Sequence, residues 1–154
     1  KGHLAISKEA KKRFKLEKII WAITKRNPLK AESKTPISKK IKDCKKIIGI
    51  NSFIKVKFYE NIIKSNKTID LIKYLKKNRN IEIFFLMGAD NLISFHKWHK
   101  SELISQKCNI IVFDRHGYKK NSLKSKTFKR LNNKTLTFVE FKKVNISSSQ
   151  LRKI

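Results

Sequence analysis

The hydrophobic pattern of the chain centres on residues 83–87, a run of five consecutive apolar positions. A run this short, containing Phe and Ile, is typical of a buried parallel strand, with a segment of a core helix as the alternative. Gly88 ends the run, and a residue without a Cβ there allows a sharp turn and the close approach of a ligand. Asp90 is predicted to cap a short helix that begins near Asn91.

Further strands and helices alternate along the chain. Alternating or continuous apolar positions predict four more strands, over residues 18–24, 53–60, 109–113 and 135–141. Apolar positions at helical spacing, or residues that start a helix, predict helices over residues 4–14, 36–48, 68–77, 97–104, the less regular 119–133, and 145–152. The helix over 68–77 is expected to bury Leu71, Ile72 and Leu75, and residues 25–35 are expected to form a loop. This order predicts an α/β fold with a Rossmann-like, doubly wound parallel sheet.

The net charge of the chain is large, but the way it is distributed gives little information about binding partners. The 154 residues include 39 Lys and Arg against 11 Asp and Glu, a formal net charge of +28. Such a balance is typical of proteins that bind nucleic acid or an anionic surface. The lysines, however, occur in nearly every block of ten residues and form no single stripe. They indicate a chain-wide compositional bias, with a basic nucleic-acid-binding module as the lesser alternative.

The cysteine and histidine spacings give no support to a disulfide framework or a metal site. Cys44 and Cys108 lie far apart and form no C-x-x-C motif, which fits a reduced, cytoplasmic setting. His96 and His99 are three residues apart, but no Cys or carboxylate stands nearby at ligand spacing, and the adjacent lysines would repel a cation. No apolar run approaches the length of a membrane span, and no signal peptide is expected.

Polar clusters occur where predicted strands end or predicted helices begin. His3 follows Gly2 at a helix start, where free backbone N–H groups help to hold a phosphate oxygen; a merely exposed His is the alternative. Gly88 and Asp90 form a second cluster, at the carboxyl end of the central strand, where open α/β sheets bind ligands. Trp98 offers a flat ring near that edge, and a position in the core explains it equally well.

Two later clusters contain arginines. Arg115, in a turn with Gly117 and Tyr118, could make a two-pronged contact with phosphate, although a solvated loop Arg is the simpler interpretation. Serines at 147–149 could cap the last helix or hold phosphate oxygens. Capping alone does not explain Arg152, which lies one turn further along.

Taken in order, these clusters resemble the motifs of bacterial nicotinate-nucleotide adenylyltransferases, of the nucleotidyltransferase α/β superfamily, over essentially the whole chain. Lys1-Gly2-His3 is similar to the end of the family's H-x-G-H signature. WAITKRNPLK, at residues 21–30, resembles its strand and loop W-x-P-T-x-x-N-P-x-K. TIDL, at residues 68–71, resembles its T-x-D-T segment.

The second half of the chain carries the more specific part of the resemblance. MGAD at residues 87–90, followed by Phe95 and Trp98, resembles M-G-A-D-x-L…W. RHGY at residues 115–118 is similar to R-P-G-Y with the proline replaced. ISSSQLR at residues 146–152 closely resembles I-S-S-T-x-I-R. Each motif is modest, and their order and spacing make the set specific.

The resemblance implies transfer of the adenylyl group of ATP to nicotinate mononucleotide, giving nicotinate adenine dinucleotide and pyrophosphate in NAD biosynthesis. It implies that the mononucleotide's phosphate attacks the α-phosphorus directly, with Mg²⁺ on the phosphates. His3 would stabilise the developing charge. The resemblance implies that ATP is bound by Gly88, Asp90, Ser148, Ser149 and Arg152. It implies that the other substrate is bound by Thr68 and Trp98 at the nicotinate ring, and by Arg115 and Lys30 as phosphate contacts.

The chain also departs from the family pattern. The family's first strand and its G-x-F-D-P-x-H turn are not in the sequence, Lys67 stands where an aromatic is common, and Ser101 stands where a second Trp is expected. We therefore expect a single domain over residues 1–154 that lacks its central first strand and the end of its last helix. Such a fragment is expected to be inactive, and a degenerate, non-catalytic remnant is the alternative. No membrane and no specific nucleic acid is expected as a partner, and a homo-oligomer is compatible with the sequence.

Scattered lysines should bind duplex DNA only weakly, because they cannot neutralise many phosphates together. We predict that binding of a random duplex disappears at physiological salt, measured by fluorescence anisotropy across a salt series. Sub-micromolar affinity that persists at that salt would contradict a compositional origin of the charge.

Overall fold

Parallel strands and the helices that connect them make up the computed structural model, which describes residues 2–25, 35–77, 79–132 and 134–140. The helices are α1 (Gly2–Phe14), α2 (Ile37–Ile48), α3 (Glu60–Ile63), α4 (Thr68–Lys76), α5 (Ala89–Ser94), α6 (Ser101–Lys107), α7 (Lys119–Leu123) and α8 (Lys126–Leu131), with a 3-10 turn at Phe95–Lys97. The strands are β1 (Ile19–Ala22), β2 (Ile54–Lys57), β3 (Phe84–Gly88), β4 (Asn109–Phe113) and β5 (Leu136–Val139).

The strands form two parallel sheets. β1 pairs with β2, and β3, β4 and β5 pair in that order, all of them parallel. Parallel pairing through intervening helices confirms the predicted α/β class. Within the described ranges no hydrogen-bonded ladder joins β1 to β3, so each of these strands has one edge without a strand partner.

The central strand β4 is buried on both faces. Ile110 and Val112 point into one apolar cluster, while Ile111 and Phe113 point into the other, as the two-residue period of a strand requires. The first cluster packs against α4, α5 and α6, and the second packs against α1 and contains Ile19 of β1. The second cluster therefore holds the two sheets together by side-chain packing, and helices cover both faces, as the doubly wound prediction requires.

Two predicted elements differ from the structure around β2 and α4. The strand predicted over 53–60 ends at Lys57, and residues 60–63 turn into the short helix α3. The helix predicted over 68–77 is present, but its buried residues are Ile69 and Ile72, whereas Leu71 and Leu75 are only half-buried. Alternation alone cannot mark a strand's end, and a single apolar stripe does not fix which of its edges faces the core.

The helices in the second half of the chain are shorter and more interrupted than the hydrophobic pattern predicts. The helix predicted over 97–104 is a 3-10 turn followed by α6, separated at Lys100, whose φ is 51°. The irregular helix predicted over 119–133 is two helices, α7 and α8. Ser125 caps α8, because its hydroxyl oxygen accepts a bond of 3.1 Å from the Phe128 N–H.

Three lysines occupy backbone conformations that favour glycine. Lys15, Lys64 and Lys100 have φ values of 52°, 52° and 51°, each beside the end of a helix. A left-handed residue at a helix end is usually Gly or Asn, because a Cβ is crowded there.

Some predictions fall on residues that the structure does not describe. Most of the loop predicted over 25–35, and the last helix predicted over 145–152, lie outside the described residues. Within the described ranges, no helix combines the length and apolar character that crossing a bilayer requires.

Truncating the core should be costly at a buried isoleucine and harmless at an exposed one. Ile110 is 0% exposed within the larger cluster, whereas Ile50 is 99% exposed. Ile110→Ala should lower the free energy of unfolding by about 2–5 kcal/mol, because it removes buried methyl groups and leaves a cavity. Ile50→Ala, the same chemical change at an exposed position, should stay within about 0.5 kcal/mol of the parent in urea denaturation. Equal effects of the two substitutions would contradict the placement of β4 in the core.

Candidate functional site

An ion pair joins the carboxyl ends of β3 and β4. Gly88, the last residue of β3, lies opposite Phe113, the last residue of β4, so the segments after both strands leave the sheet side by side. Asp90 and Arg115 lie two residues beyond these positions, and Arg115 Nη1 donates to Asp90 Oδ2 over 2.7 Å. Both side chains are mostly buried, which strengthens the pairing relative to one on the open surface. The prediction that Asp90 caps α5 was wrong: Gly88 precedes the helix without a side-chain cap, and Asp90 turns to Arg115.

Gly88 packs closely against the side chain of Asp90. A Cβ built on Gly88 would lie 2.6 Å from Asp90 Oδ1, closer than any non-bonded contact allows. The same Oδ1 atom is buried and has no hydrogen-bond partner among the described residues. A buried acceptor without a donor costs free energy, so this oxygen favours a ligand that brings an N–H or O–H to it.

His3 lies in the first turn of α1, close enough to the ion pair to be influenced by both of its members. His3 is an exposed residue overall, yet partial burial among protein atoms lowers its pKa below the usual value of 6.5, and the positive charge of the chain's amino terminus lowers it further. The positive charge of Arg115 lowers that pKa further, and the carboxylate of Asp90 opposes the shift. His3 is thus biased toward the neutral imidazole, which can donate one hydrogen bond to an anion.

Two residues that the motifs did not single out as functional contact His3. The Trp21 ring, on β1, lies edge-on to the imidazole with ring centroids 6.1 Å apart. Trp21 Nε1 also donates to Ser7 Oγ over 2.9 Å, and the Ser7 hydroxyl donates to the His3 carbonyl over 2.8 Å. A Trp in an apolar strand needs a partner for its N–H, and this need is the sequence signal that could have pointed to Ser7.

Thr68 lies apart from this group, at the start of α4. It lines a small cavity of about 50 Å³ together with residues at the carboxyl end of β1, including Thr24, and with Tyr59. The loop before α4 is fixed by Ser65, whose hydroxyl donates to Asp70 Oδ2 over 2.6 Å and accepts from the Lys67 N–H over 3.0 Å. Thr68 therefore faces a second, neighbouring part of the sheet edge.

Trp98 packs on the border of the larger core cluster. Its ring centroid lies 5.2 Å from that of Phe95 and 5.8 Å from that of Phe85, the latter in an edge-on arrangement. The core interpretation of Trp98 is correct for these contacts. The side chain is only half-buried, so stacking on a nicotinate ring stays a prediction.

The remaining predicted site residues and the metal question rest on fewer observations. Lys30, Ser148, Ser149 and Arg152 lie outside the described residues. In the described part of the chain, no group of three or more His, Cys, Asp or Glu side chains is arranged to hold a metal ion.

Comparisons with known proteins point in one direction. The family model described as cytidylyltransferase-like matches residues 1–154. A probable nicotinate-nucleotide adenylyltransferase of Pelagibacter ubique is 64% identical over 154 residues, which are 100% of this chain and 86% of that protein. One from Clostridium botulinum is 32% identical over 99% of this chain and 78% of its own length.

Solved structures agree on the fold. A Plasmodium falciparum nicotinic acid mononucleotide adenylyltransferase complexed with APC has a TM-score of 0.77, with 22% identity, covering 99% of this chain and 75% of the other. The same enzyme complexed with NaAD has a TM-score of 0.74, also at 22% identity. At this identity the likeness shows the fold.

Gly88→Ala should be destabilising only while Asp90 is present. The added methyl group must displace the Asp90 carboxylate and disturb its bond to Arg115, at a cost of about 1–3 kcal/mol of unfolding free energy. In an Asp90→Ala background the obstacle is gone. Because the φ of −83° at Gly88 suits alanine, the same substitution should then be neutral or stabilising by up to about 1 kcal/mol. Urea denaturation of the four proteins measures both values, and an equal cost in the two backgrounds would rule out the contact with Asp90 as its cause.

Proposed function

The chain belongs to the cytidylyltransferase-like family and, within it, to the nicotinate-nucleotide adenylyltransferases, and we propose that the edge formed by β3 and β4 is its ATP site. Its function is adenylyl transfer from ATP to nicotinate mononucleotide in NAD biosynthesis. The observation that carries this function is the identity of 64% across the whole chain. The proposal for the site is supported by the geometry of Gly88, Asp90 and Arg115.

Gly88 and Asp90 are proposed to hold the adenosine part of ATP. The absence of a Cβ at Gly88 lets Asp90 Oδ1 lie against the backbone there, and this oxygen is a buried acceptor without a partner among the described residues. Adenosine carries both hydroxyl and amino donors that such an oxygen can accept. Arg115 is proposed as a phosphate contact, because its bond to Asp90 uses one of the five N–H donors of a guanidinium group.

His3 is proposed to stabilise the charge that develops during the reaction. The phosphate of the mononucleotide attacks the α-phosphorus of ATP, one P–O bond forms, the bond to the β-phosphate breaks, and pyrophosphate leaves. No side chain forms a covalent bond, so the contribution of the protein is to position the two substrates and stabilise negative charge. A neutral imidazole at the amino-terminal end of α1 can donate a hydrogen bond while adding little charge of its own.

Mg²⁺ is proposed to enter with ATP, as part of that substrate. The described side chains do not form a cage for it, and Mg²⁺ is commonly held by substrate phosphates with few protein ligands. Ser148, Ser149 and Arg152 are proposed to hold the ATP phosphates, and Lys30 a further phosphate.

Thr68 and Trp98 are proposed to hold the nicotinate ring. Thr68 lines the cavity beside β1, and Trp98 is half-buried with part of its ring accessible. The two lie on different elements, α4 and the segment after the 3-10 turn, and the ring is proposed to lie between them.

A further strand with a Gly-rich turn is proposed to pair with β1 and β3. Within the described residues both strands have an edge without a strand partner, although side chains of both lie in one apolar cluster. The second candidate, a non-catalytic remnant, would keep these edges open, and open hydrophobic edges promote aggregation. The two candidates differ in whether addition of that strand produces turnover.

The substrate prediction concerns a form extended by a strand and a G-x-F-D-P-x-H turn. It should release pyrophosphate from ATP with nicotinate mononucleotide, in a coupled assay that also tests nicotinamide mononucleotide. Phosphopantetheine, a phosphate acceptor without a pyridine ring, is the control. A clear preference for phosphopantetheine would overturn the assignment.

The chain of 154 residues and the extended form should differ strongly in turnover and in solubility. Removal of one charge-stabilising donor typically lowers the rate by about 10²–10³, and the added turn would supply several. Pyrophosphate release and light scattering are measured for both proteins under the same conditions. Turnover by the shorter chain within about tenfold of the extended form would contradict a contribution of this size.

A further inference from the structure

We propose that Ser7 and Trp21 are positioning residues that hold His3 at the reacting phosphates. This inference rests on the proposed role of His3 in adenylyl transfer. It concerns two residues on different elements, one in the second turn of α1 and one on β1, neither of which carries a charge.

The direction of the hydrogen bonds is fixed by the chemistry of the groups. The indole N–H can only donate, so Trp21 Nε1 must give its proton to Ser7 Oγ, 2.9 Å away. A serine hydroxyl has one proton, and the His3 carbonyl, 2.8 Å from Ser7 Oγ, is the acceptor that receives it. The two bonds form one directed chain from β1 to the backbone of His3.

Trp21 therefore interacts with His3 in two ways, directly through its ring and indirectly through Ser7. Its ring packs edge-on against the imidazole, with an angle of 66° between the planes, and its N–H reaches the His3 backbone through Ser7. Ser7 is 3% exposed, so water has little access to compete for these bonds. The bond to Ser7 fixes the rotation of the indole ring and hence the surface on which the imidazole rests.

The first turn of α1 is held to the second apolar cluster by Leu4. It contains no acidic residue that could interact with the positive end of the helix. The first four N–H groups of a helix have no partner within it, so helix ends tend to fray. A strand-to-helix link at His3 opposes this fraying where the proposed reaction needs a fixed side chain.

The test uses Ser7→Ala, Trp21→Phe and the double variant, with Ser7→Thr as the conservative change that keeps a hydroxyl. Ser105→Ala is the matched control. Like Ser7, Ser105 is a buried helical serine, 5% exposed, whose hydroxyl donates to a backbone carbonyl of its own helix, that of Glu102, but it lies on α6. Thermal unfolding identifies any variant that has lost its fold.

The first measurement is the pKa of the His3 imidazole by NMR titration of the 154-residue chain, with a His3→Gln variant to assign the signal. Burial holds the His3 pKa below 6.5, the positive charges of the chain's amino terminus and of Arg115 lower it further, and Asp90 opposes them. Ser7→Ala and Trp21→Phe should move that pKa toward 6.5, because a loosened ring gains access to water. Ser7→Thr and Ser105→Ala should leave it at the parent value, and Ser7→Ala should add nothing further once Trp21 is Phe.

The second measurement is turnover of the extended form. Misplacing a catalytic group by about 1 Å can cost up to about 10² in rate, so kcat should fall by up to that factor while the KM for ATP stays within about twofold. An unchanged His3 pKa in both Ser7→Ala and Trp21→Phe would overturn the positioning role, as would an equal shift in Ser105→Ala. If His3→Gln keeps full turnover, the proposed catalytic role of His3 fails, and the titration still decides whether Ser7 and Trp21 fix its ring.

Discussion

Burial of β4 on both faces is the constraint on which the rest of the structure depends. A strand whose successive side chains enter two different clusters needs a layer of helices above and below it. That requirement places α4, α5 and α6 on one side and α1 on the other. It also brings the carboxyl ends of β3 and β4 to a common edge, because parallel strands end on the same side of a sheet. This arrangement determines the positions of Gly88, Asp90 and Arg115, the described residues of the proposed ATP site.

The site combines an ion pair with one hydrogen-bond acceptor that remains available to a ligand. Asp90 uses one carboxylate oxygen to hold Arg115, while the other lies buried against Gly88. A carboxylate divided in this way is fixed in orientation before any substrate arrives. Preorganisation of this kind lowers the entropic cost of binding, and it is the property that a direct displacement without a covalent intermediate requires.

The sequence predicted the fold class, all five described strands and the family, and the family-model match and the 64% identity confirm the last of these. Strand β4 was predicted at its observed bounds, because four consecutive apolar residues between Asn109 and Asp114 leave little choice. The capping role of Asp90 was wrong, since a single sequence does not reveal that Arg115 lies 2.7 Å away across the sheet edge. Ser7 was missed for the same reason: its partner is 14 residues distant, and the motifs describe residues near in sequence.

The high lysine content of the chain extends to positions where the backbone adopts a left-handed conformation. Lys15, Lys64 and Lys100 stand where backbone geometry, and not charge, ordinarily selects the residue, while the whole chain keeps only four glycines. A non-glycine residue in this conformation costs roughly 1 kcal/mol. Relieving this strain at the three positions would raise the free energy of unfolding without altering the core or the proposed site. The lysine-rich composition therefore lowers the margin by which the fold is stable.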